Sequence, residues 1–542
     1  MFKKLIILLS LLFLLPSSSW AVGELDFRAF GDLVIQEGGR RKPVSTFASE
    51  AVRKISGRTT VEGFGKKWQA EDFILSLMLE DKDWPNQPLI LCNHKDLLKE
   101  MNLPLDEKRF SFTTLTANEA LKRIAGEAAV LRQKNKADDL TRLQKEAESV
   151  MGRLGLFQNV GSGAAFTIFP ATEKGAAWQA PTPGSGHPAL PVLSEMLTAY
   201  TGRDAFNFSK KANELHIALR DSAPQVYPSD AVIKLETLYN TYQPFDIAAA
   251  GYALGFILLL AAKRLPALFW PAMIVCISGW LVHVWGLVAR CIIAGRPPVT
   301  NMYESVVWAS FGVVLCGFIF QLVYRGRIYL LSALPAGFLC LLVLSLIPSA
   351  MPGEINPLVP VLRDNFWLVI HVLTITSSYA VFMLAWALGH VVLWGYVKNP
   401  VEMQANRELH QWLYRVIQLG VLLLAAGTIL GGVWANYSWG RFWGWDPKET
   451  WALIALLCYI FVLHGRMAGM WSHFGMAVAS VICFCAVLMT WYGVNFVLGK
   501  GLHSYGFGLG AEGYVVTFVA LDLALVGLAA WRHLSASKKV AA

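Results

Sequence analysis

The chain has no Cys-x-x-Cys pair, and therefore no Cys-x-x-Cys-His. The first absence excludes a dithiol oxidoreductase, and the second excludes a c-type cytochrome. Cysteine is also poorly placed for a disulfide scaffold. Of eight cysteines only Cys92 falls in the first 240 residues. Cys276, Cys291, Cys316, Cys340, Cys458, Cys483 and Cys485 lie in or beside apolar segments, where cysteine commonly serves as a small core residue. Charge is scarce as well: Asp, Glu, Lys and Arg make up 16% of the chain, against about a quarter in ordinary soluble domains. Inside the apolar segments carboxylates nearly vanish, with Asp522 the lone candidate. That argues against an ion-coupled transporter with a sensory ectodomain. There is no internal repeat.

What the chain has in excess is apolar surface. Its 542 residues are 55% hydrophobic and 12% aromatic, too apolar for one soluble globule. The excess is uneven, because the first 245 residues are mixed and charged while the rest is a series of apolar runs. Lys3-Lys4, an apolar core from Leu5 to Leu15 and a small-residue exit to Ala21 read as a secretory signal, residues 1–21, cleaved after Ala21. An uncleaved anchor is the alternative, and it leaves the following domain on the same side. Residues 22–240 then form an exported domain, helical or mixed. Residues 241–535 form a polytopic α-helical membrane domain, and 536–542 a cytoplasmic tail.

Nine runs are long enough to span a bilayer: about 246–262, 267–289, 304–324, 328–348, 367–395, 414–436, 451–465, 475–498 and 514–531. The seventh is short, and its helix is expected to begin at Pro447. With residue 245 outside, the inner loops collect Lys263-Arg264, Arg325 with Arg327, Lys398 with Arg407 and Arg415, Arg466, and Arg532 with Lys538-Lys539. This positive-inside bias accounts for the net charge of +9 without nucleic acid. It is the bias expected of a C-terminus in the cytoplasm. The outer loops are 290–303, 349–366, 437–450 and 499–513.

The exported domain carries less chemistry. Leu115 to Met151 reads as one or two charged amphipathic helices, and Ala180 to Pro188 as a loop. The run Gln36-Glu-Gly-Gly-Arg-Arg-Lys-Pro43 reads as a turn entering a capped helix near Ser45, with its basic residues as solvated surface. No catalytic constellation is present.

Trp439-Gly-Arg-Phe-Trp443-Gly-Trp445-Asp-Pro-Lys-Glu-Thr-Trp451 packs four tryptophans into thirteen residues between two apolar runs. Tryptophan favours membrane interfaces in any case, but this density, interleaved with Gly, is more than a belt. Asp446 can cap a helix, Pro447 suits its first position and Glu449 completes a capping box. These carboxylates therefore shape the strip; they do not act as acid or base. The result is a flat π surface with Arg441 and Lys448 supplying positive charge, which suits a planar, apolar ligand edged with carboxylates. Haem fits that description.

This strip resembles the tryptophan-rich signature of haem-handling proteins in cytochrome c biogenesis, most closely the CcsA (ResC) family of system II. Other stretches resemble the same family, in the same order: Gly295-Arg-Pro-Pro-Val-Thr-Asn301-Met-Tyr303-Glu304-Ser305, Trp367 to His371 with Ser378-Tyr379, Leu463-His464-Gly-Arg466, Tyr492-Gly-Val-Asn495, and Gly501-Leu-His503-Ser-Tyr505-Gly506. Together they cover roughly residues 245–535. The exported domain is similar to the periplasmic extension that precedes some bacterial members.

The resemblance implies a membrane protein that binds haem b non-covalently, conveys it outward and presents it to apocytochrome c for attachment at Cys-x-x-Cys-His. It implies a synthase only together with a ResB (CcsB) type membrane partner, and a supply of thiol-reducing proteins in the periplasm. Topology sorts the eleven histidines. His371 and His503 fall on the outer side, flanking the strip, and match the family's outer pair of haem-iron ligands. His464 lies near the inner end of the seventh run and matches an intramembrane ligand whose second imidazole belongs to the partner. Trp439, Trp443, Trp445, Asp446 and Arg441 complete the expected binding set, with Arg296 a further candidate for the haem propionates. His390 is an alternative internal ligand. His283 reads as interhelical glue, and Asn301, Tyr303 and Glu304 as the start of a helix. The competing reading is a haem exporter or carrier resembling CcmC or CcmF of system I, although the helix count fits neither.

Overall fold

In the computed structural model the described residues are 25–134, 136, 139–173, 175–182, 184–348, 351–357, 365–498 and 512–541. The signal segment 1–21 lies outside them. Backbone contacts divide the chain into two units, Met1–Asn135 with Leu140–Thr237, and Lys136–Asp139 with Leu238–Ala542.

Among the described residues the first unit is mainly helical, with three two-stranded antiparallel sheets. Strands β1 (Val34–Glu37) and β2 (Arg40–Pro43) pair across Gly38 and Gly39. Both glycines take positive φ, 57° and 83°, as a tight two-residue hairpin requires. The charged stretch forms Glu119–Gln133 and Arg142–Gly161, the latter opened by a Thr141/Gln144 capping box. Their apolar faces join a core that includes Phe30, Phe47, Phe73, Trp84, Tyr200 and Phe208.

Two expectations are corrected here. Helix Val44–Ser56 starts ahead of Ser45 and has no side-chain cap. The Val44 amide donates instead to the Leu33 carbonyl beside β1, at 2.7 Å, so backbone takes the place of a cap. The basic run is not solvated. Arg40 pairs with Glu236 at 2.5 Å, Arg41 donates to the Val226 carbonyl at 2.7 Å, and buried Lys42 pairs with Glu37 and Glu50. The hairpin folds these long side chains inward, where carboxylates await them.

In the second unit nine helices, among the described residues, are long and apolar enough to cross a membrane. They are Pro244–Ala261, Pro266–Ala294, Met302–Tyr324, Arg327–Leu346, Phe366–Lys398, Arg407–Trp439, Pro447–Met467, His473–Leu498 and Glu512–Ser537, numbered here as spans one to nine. Each contains or closely overlaps an apolar run read from the sequence, and the seventh does begin at Pro447. The protein is thus a multi-pass α-helical membrane protein. Helices extend past their apolar cores where polar caps continue the hydrogen-bond ladder. Asn301 caps span three through the Glu304 amide, and Asn406 caps span six.

Spans five and six make the closest pairing. The Gly427-x-x-x-Gly431 spacing on span six lets the backbones approach, since a Cβ on Gly427 would lie 2.9 Å from Cα of Ile375. Span eight departs from α geometry in Met489–Leu498, which is π-helical. Such wide turns are uncommon and concentrate at functional sites.

Candidate functional site

Span six ends at Trp439, where Gly440 takes φ 69° and turns the chain into the tryptophan strip. The strip stays compact through one carboxylate. Glu449 accepts from the Gly444 amide at 2.8 Å, the Asp446 amide at 3.2 Å and Arg441 at 3.2 Å. Asp446 and Glu449 form the expected capping box, with Pro447 in the first turn. Arg441 lies 5.5 Å over the Trp439 ring. Held this way, Trp445 adopts φ 57°, a left-handed conformation that non-glycine residues rarely take without local support.

Beneath the strip lies a cavity of about 150 Å³ that is partly open to solvent. Five stretches of sequence converge on it: Val299 to Met302, the start of span five with His371, the end of span six through Gly431 and Trp434, the strip through Phe442, Trp443 and Lys448, and the π-helical segment through Trp491 and Asn495.

His371 is the imidazole of this wall. Its Nδ1–H donates to the Gly427 carbonyl at 2.8 Å, which places the lone pair on Nε2 and fixes the ring's orientation, as bound metal-ligating histidines require. The ring lies nearly parallel to Trp434, with centroids 6.3 Å apart and planes 8° apart. Gly431 makes room for it, because a Cβ there would fall 2.6 Å from His371 Cε1.

The tryptophans divide in role. Trp443 lines the cavity. Trp439 sits one layer back, edge-on to Trp434 at 4.7 Å. Trp445 meets Trp443 edge-on at 5.9 Å and is 70% exposed. His503 lies outside the described residues.

The third wall depends on a buried ion cluster. Glu304 accepts from Arg290 at 2.9 Å, Arg296 at 3.0 Å and the Thr300 amide at 2.8 Å. Arg290 also donates to the Gly353 carbonyl at 2.8 Å. Buried charge is tolerable only when paired in this way. Arg296 therefore serves the wall, and Glu304 does more than start a helix. The sequence holds no local sign of this, because Arg290 and Glu304 are in different spans.

The remaining histidines separate cleanly. His464 is some sixteen residues along span seven from Lys448, about 24 Å at 1.5 Å per residue, so it belongs to a second location. Its Nδ1–H donates to the Ile460 carbonyl at 2.9 Å, and the ring is exposed on the bundle surface. His390 has both nitrogens engaged, Nδ1 with the Trp386 carbonyl and Nε2 with Asp522, each at 3.0 Å. His283 is fully buried between the Tyr252 hydroxyl and the Val307 carbonyl, as interhelical glue should be. Trp434, Trp491 and Gly431 were not picked out by sequence reading. The Gly427/Gly431 spacing was their one available signal.

The residues that line this cavity all fall within a stretch that matches a known family. The sequence model of the cytochrome C assembly protein family matches residues 299–503. CcsA, the cytochrome c biogenesis protein of Synechococcus sp. (strain CC9605), is 32% identical over 306 residues, 48% of this chain and 98% of that protein. CcsA of Prochlorococcus marinus (strain SARG) is 34% identical over 300 residues, 47% of this chain and 93% of that protein. NrfI of Wolinella succinogenes is 31% identical over 527 residues, 89% of this chain, a share that must include much of the first unit. The chain spans about half of NrfI, 54% of its length.

Proposed function

The chain belongs to the CcsA family of cytochrome c biogenesis proteins, and from that premise we propose that it binds haem b as cargo and presents it at the outer membrane face to apocytochrome c. The observation that carries this reading is the cavity in which the oriented imidazole of His371 meets the tryptophan strip. His371 is one axial ligand and His503 the other. Trp443, Trp439 and Trp445 supply the apolar shelf, while Asp446 and Arg441 hold it in shape. Two imidazoles retain iron without leaving a site for oxygen chemistry.

His464 forms a separate inner site. Its exposure on the bundle surface suits a ligand shared with a second membrane protein of the ResB (CcsB) type. Haem enters there and moves outward, in a bacterial inner membrane, with the exported unit and the strip in the periplasm and the C-terminus in the cytoplasm. At the outer site each acceptor thiol adds across one haem vinyl group, sulfur to the α-carbon and hydrogen to the β-carbon, with no net oxidation. Thiol-reducing proteins of the periplasm keep those thiols available. The protein's own contribution is orientation and exclusion of water, so the partnered complex, and not this chain alone, is the synthase.

The test is an absorption spectrum of protein purified from membranes, with and without a ResB-type partner, before and after dithionite. Sharp bis-imidazole bands are expected; they should weaken in a His371→Ala, His503→Ala variant and return with added imidazole. A preparation that stays haem-free with the partner present would remove the reading and leave the strip as an interface belt.

A further inference from the structure

The arginines that the sequence offers for a carboxylate-edged ligand are already committed. Arg296 donates to Glu304, to the Asn356 carbonyl and to Thr300. Arg441 donates to Glu449 and lies over Trp439. Lys448 differs from both. It lines the cavity, and its ammonium donates to a neutral group, Asn495 Oδ1, at 3.3 Å. An ammonium carries three N–H donors, so two remain for something inside the cavity. Asn495 is itself held, with its Nδ2 donating to the Trp491 carbonyl at 2.9 Å, and this turns Oδ1 toward Lys448. Of the two flanking carboxylates, Asp446 lies near enough for its charge to favour the ammonium. Asp446 accepts from the Lys448 amide, and Glu449 takes the strip's amides and Arg441. A partly buried cation with spare donors beside an aromatic wall selects an anionic group on an otherwise apolar ligand.

We propose that Lys448 is the carboxylate anchor of the cavity and makes it selective for planar ligands whose edge carries a free carboxylate. The proposal rests on the haem reading above, in which that group is a propionate. His371 would then hold the centre of the ligand and Lys448 one edge. Two such points fix the rotation of the ring in its own plane, which a stacking shelf and an axial bond leave open.

The experiment uses the full chain in detergent, stripped of ligand and titrated with haem and with haem dimethyl ester, whose carboxylates are blocked. Wild type should favour the free acid by on the order of tenfold, as a single charge-assisted hydrogen bond allows. Lys448→Met should bind both compounds alike, with its ester affinity matching wild type, and Lys448→Arg should restore the preference. The unchanged ester affinity reports a folded site. If Lys448→Met does not accumulate, Lys448→Gln gives the same comparison while keeping a donor for Asn495. Equal affinities in wild type, or a preference that survives in the Met or Gln variant, would overturn the proposal. Wild type that binds neither compound would instead overturn the haem reading.

Discussion

His371 depends on a small residue beside it in the cavity wall. Gly431 leaves the space the imidazole occupies, and a methyl group there would press on three ring atoms within 3.2 Å. Overpacking of this kind typically costs about 1–3 kcal/mol, and here the strain falls on the orientation of the ring. Gly431→Ala is therefore expected to reproduce the spectral loss of a His371 variant while leaving helix content unchanged by far-ultraviolet circular dichroism. In the first unit, Cys92 shows what burial does to a thiol. Its pKa is pushed up to about 11, chiefly by desolvation, with Arg153 opposing the shift. Because the folded state holds the proton more tightly than the unfolded chain, this contribution to stability is complete below about pH 9 and is lost as pH rises through about 11. The native protein should resist alkylation at Cys92 at pH 8 and react only when denatured, which mass spectrometry after iodoacetamide labelling would read.

At the scale of elements, span nine is the least embedded helix, with 11% of its apolar window buried. Its tether is polar. Asp522 accepts from His390 at 3.0 Å and from Trp386 at 2.9 Å, both on span five. Interhelical hydrogen bonds in membranes contribute about 0.6–2 kcal/mol each, enough to position a helix that packing alone does not hold. Asp522→Leu should lower the thermal unfolding midpoint in detergent by a few degrees. It should also slow disulfide formation between cysteines introduced on spans five and nine. The outer-site spectrum should be unaffected, because His390 and Asp522 do not line the outer cavity. An unchanged midpoint and crosslinking rate would show that the pair carries no structural load.

At the scale of the whole molecule, the central expectation is orientation. The Lys and Arg content of alternate short loops and the role proposed for the strip require the same topology. Alkaline phosphatase fused after Gly295 or Gly440 should be active, and fused after Arg325, Asn399 or Gly469 inactive. The reverse pattern would put the strip in the cytoplasm and remove the outer acceptor from the account.

What the sequence by itself determined is everything that local chemistry controls. Span number and limits follow from apolar length, and the start of span seven from Asp446-Pro447 with Glu449. The strip and the flanking His371 were legible because residue types at close spacing carry them. What only the tertiary structure decided are the contacts between distant segments. Lys448 meets Asn495 across 47 positions and His390 meets Asp522 across 132. Arg296 and Arg441 looked available for a ligand until Glu304 and Glu449 were seen to hold them. The basic run of the first unit looked solvated until Glu236 and Glu50 closed on it. A side chain's charge can be read from its letter, but whether that charge is already neutralised depends on which helices pack together, and packing is a property of the whole fold.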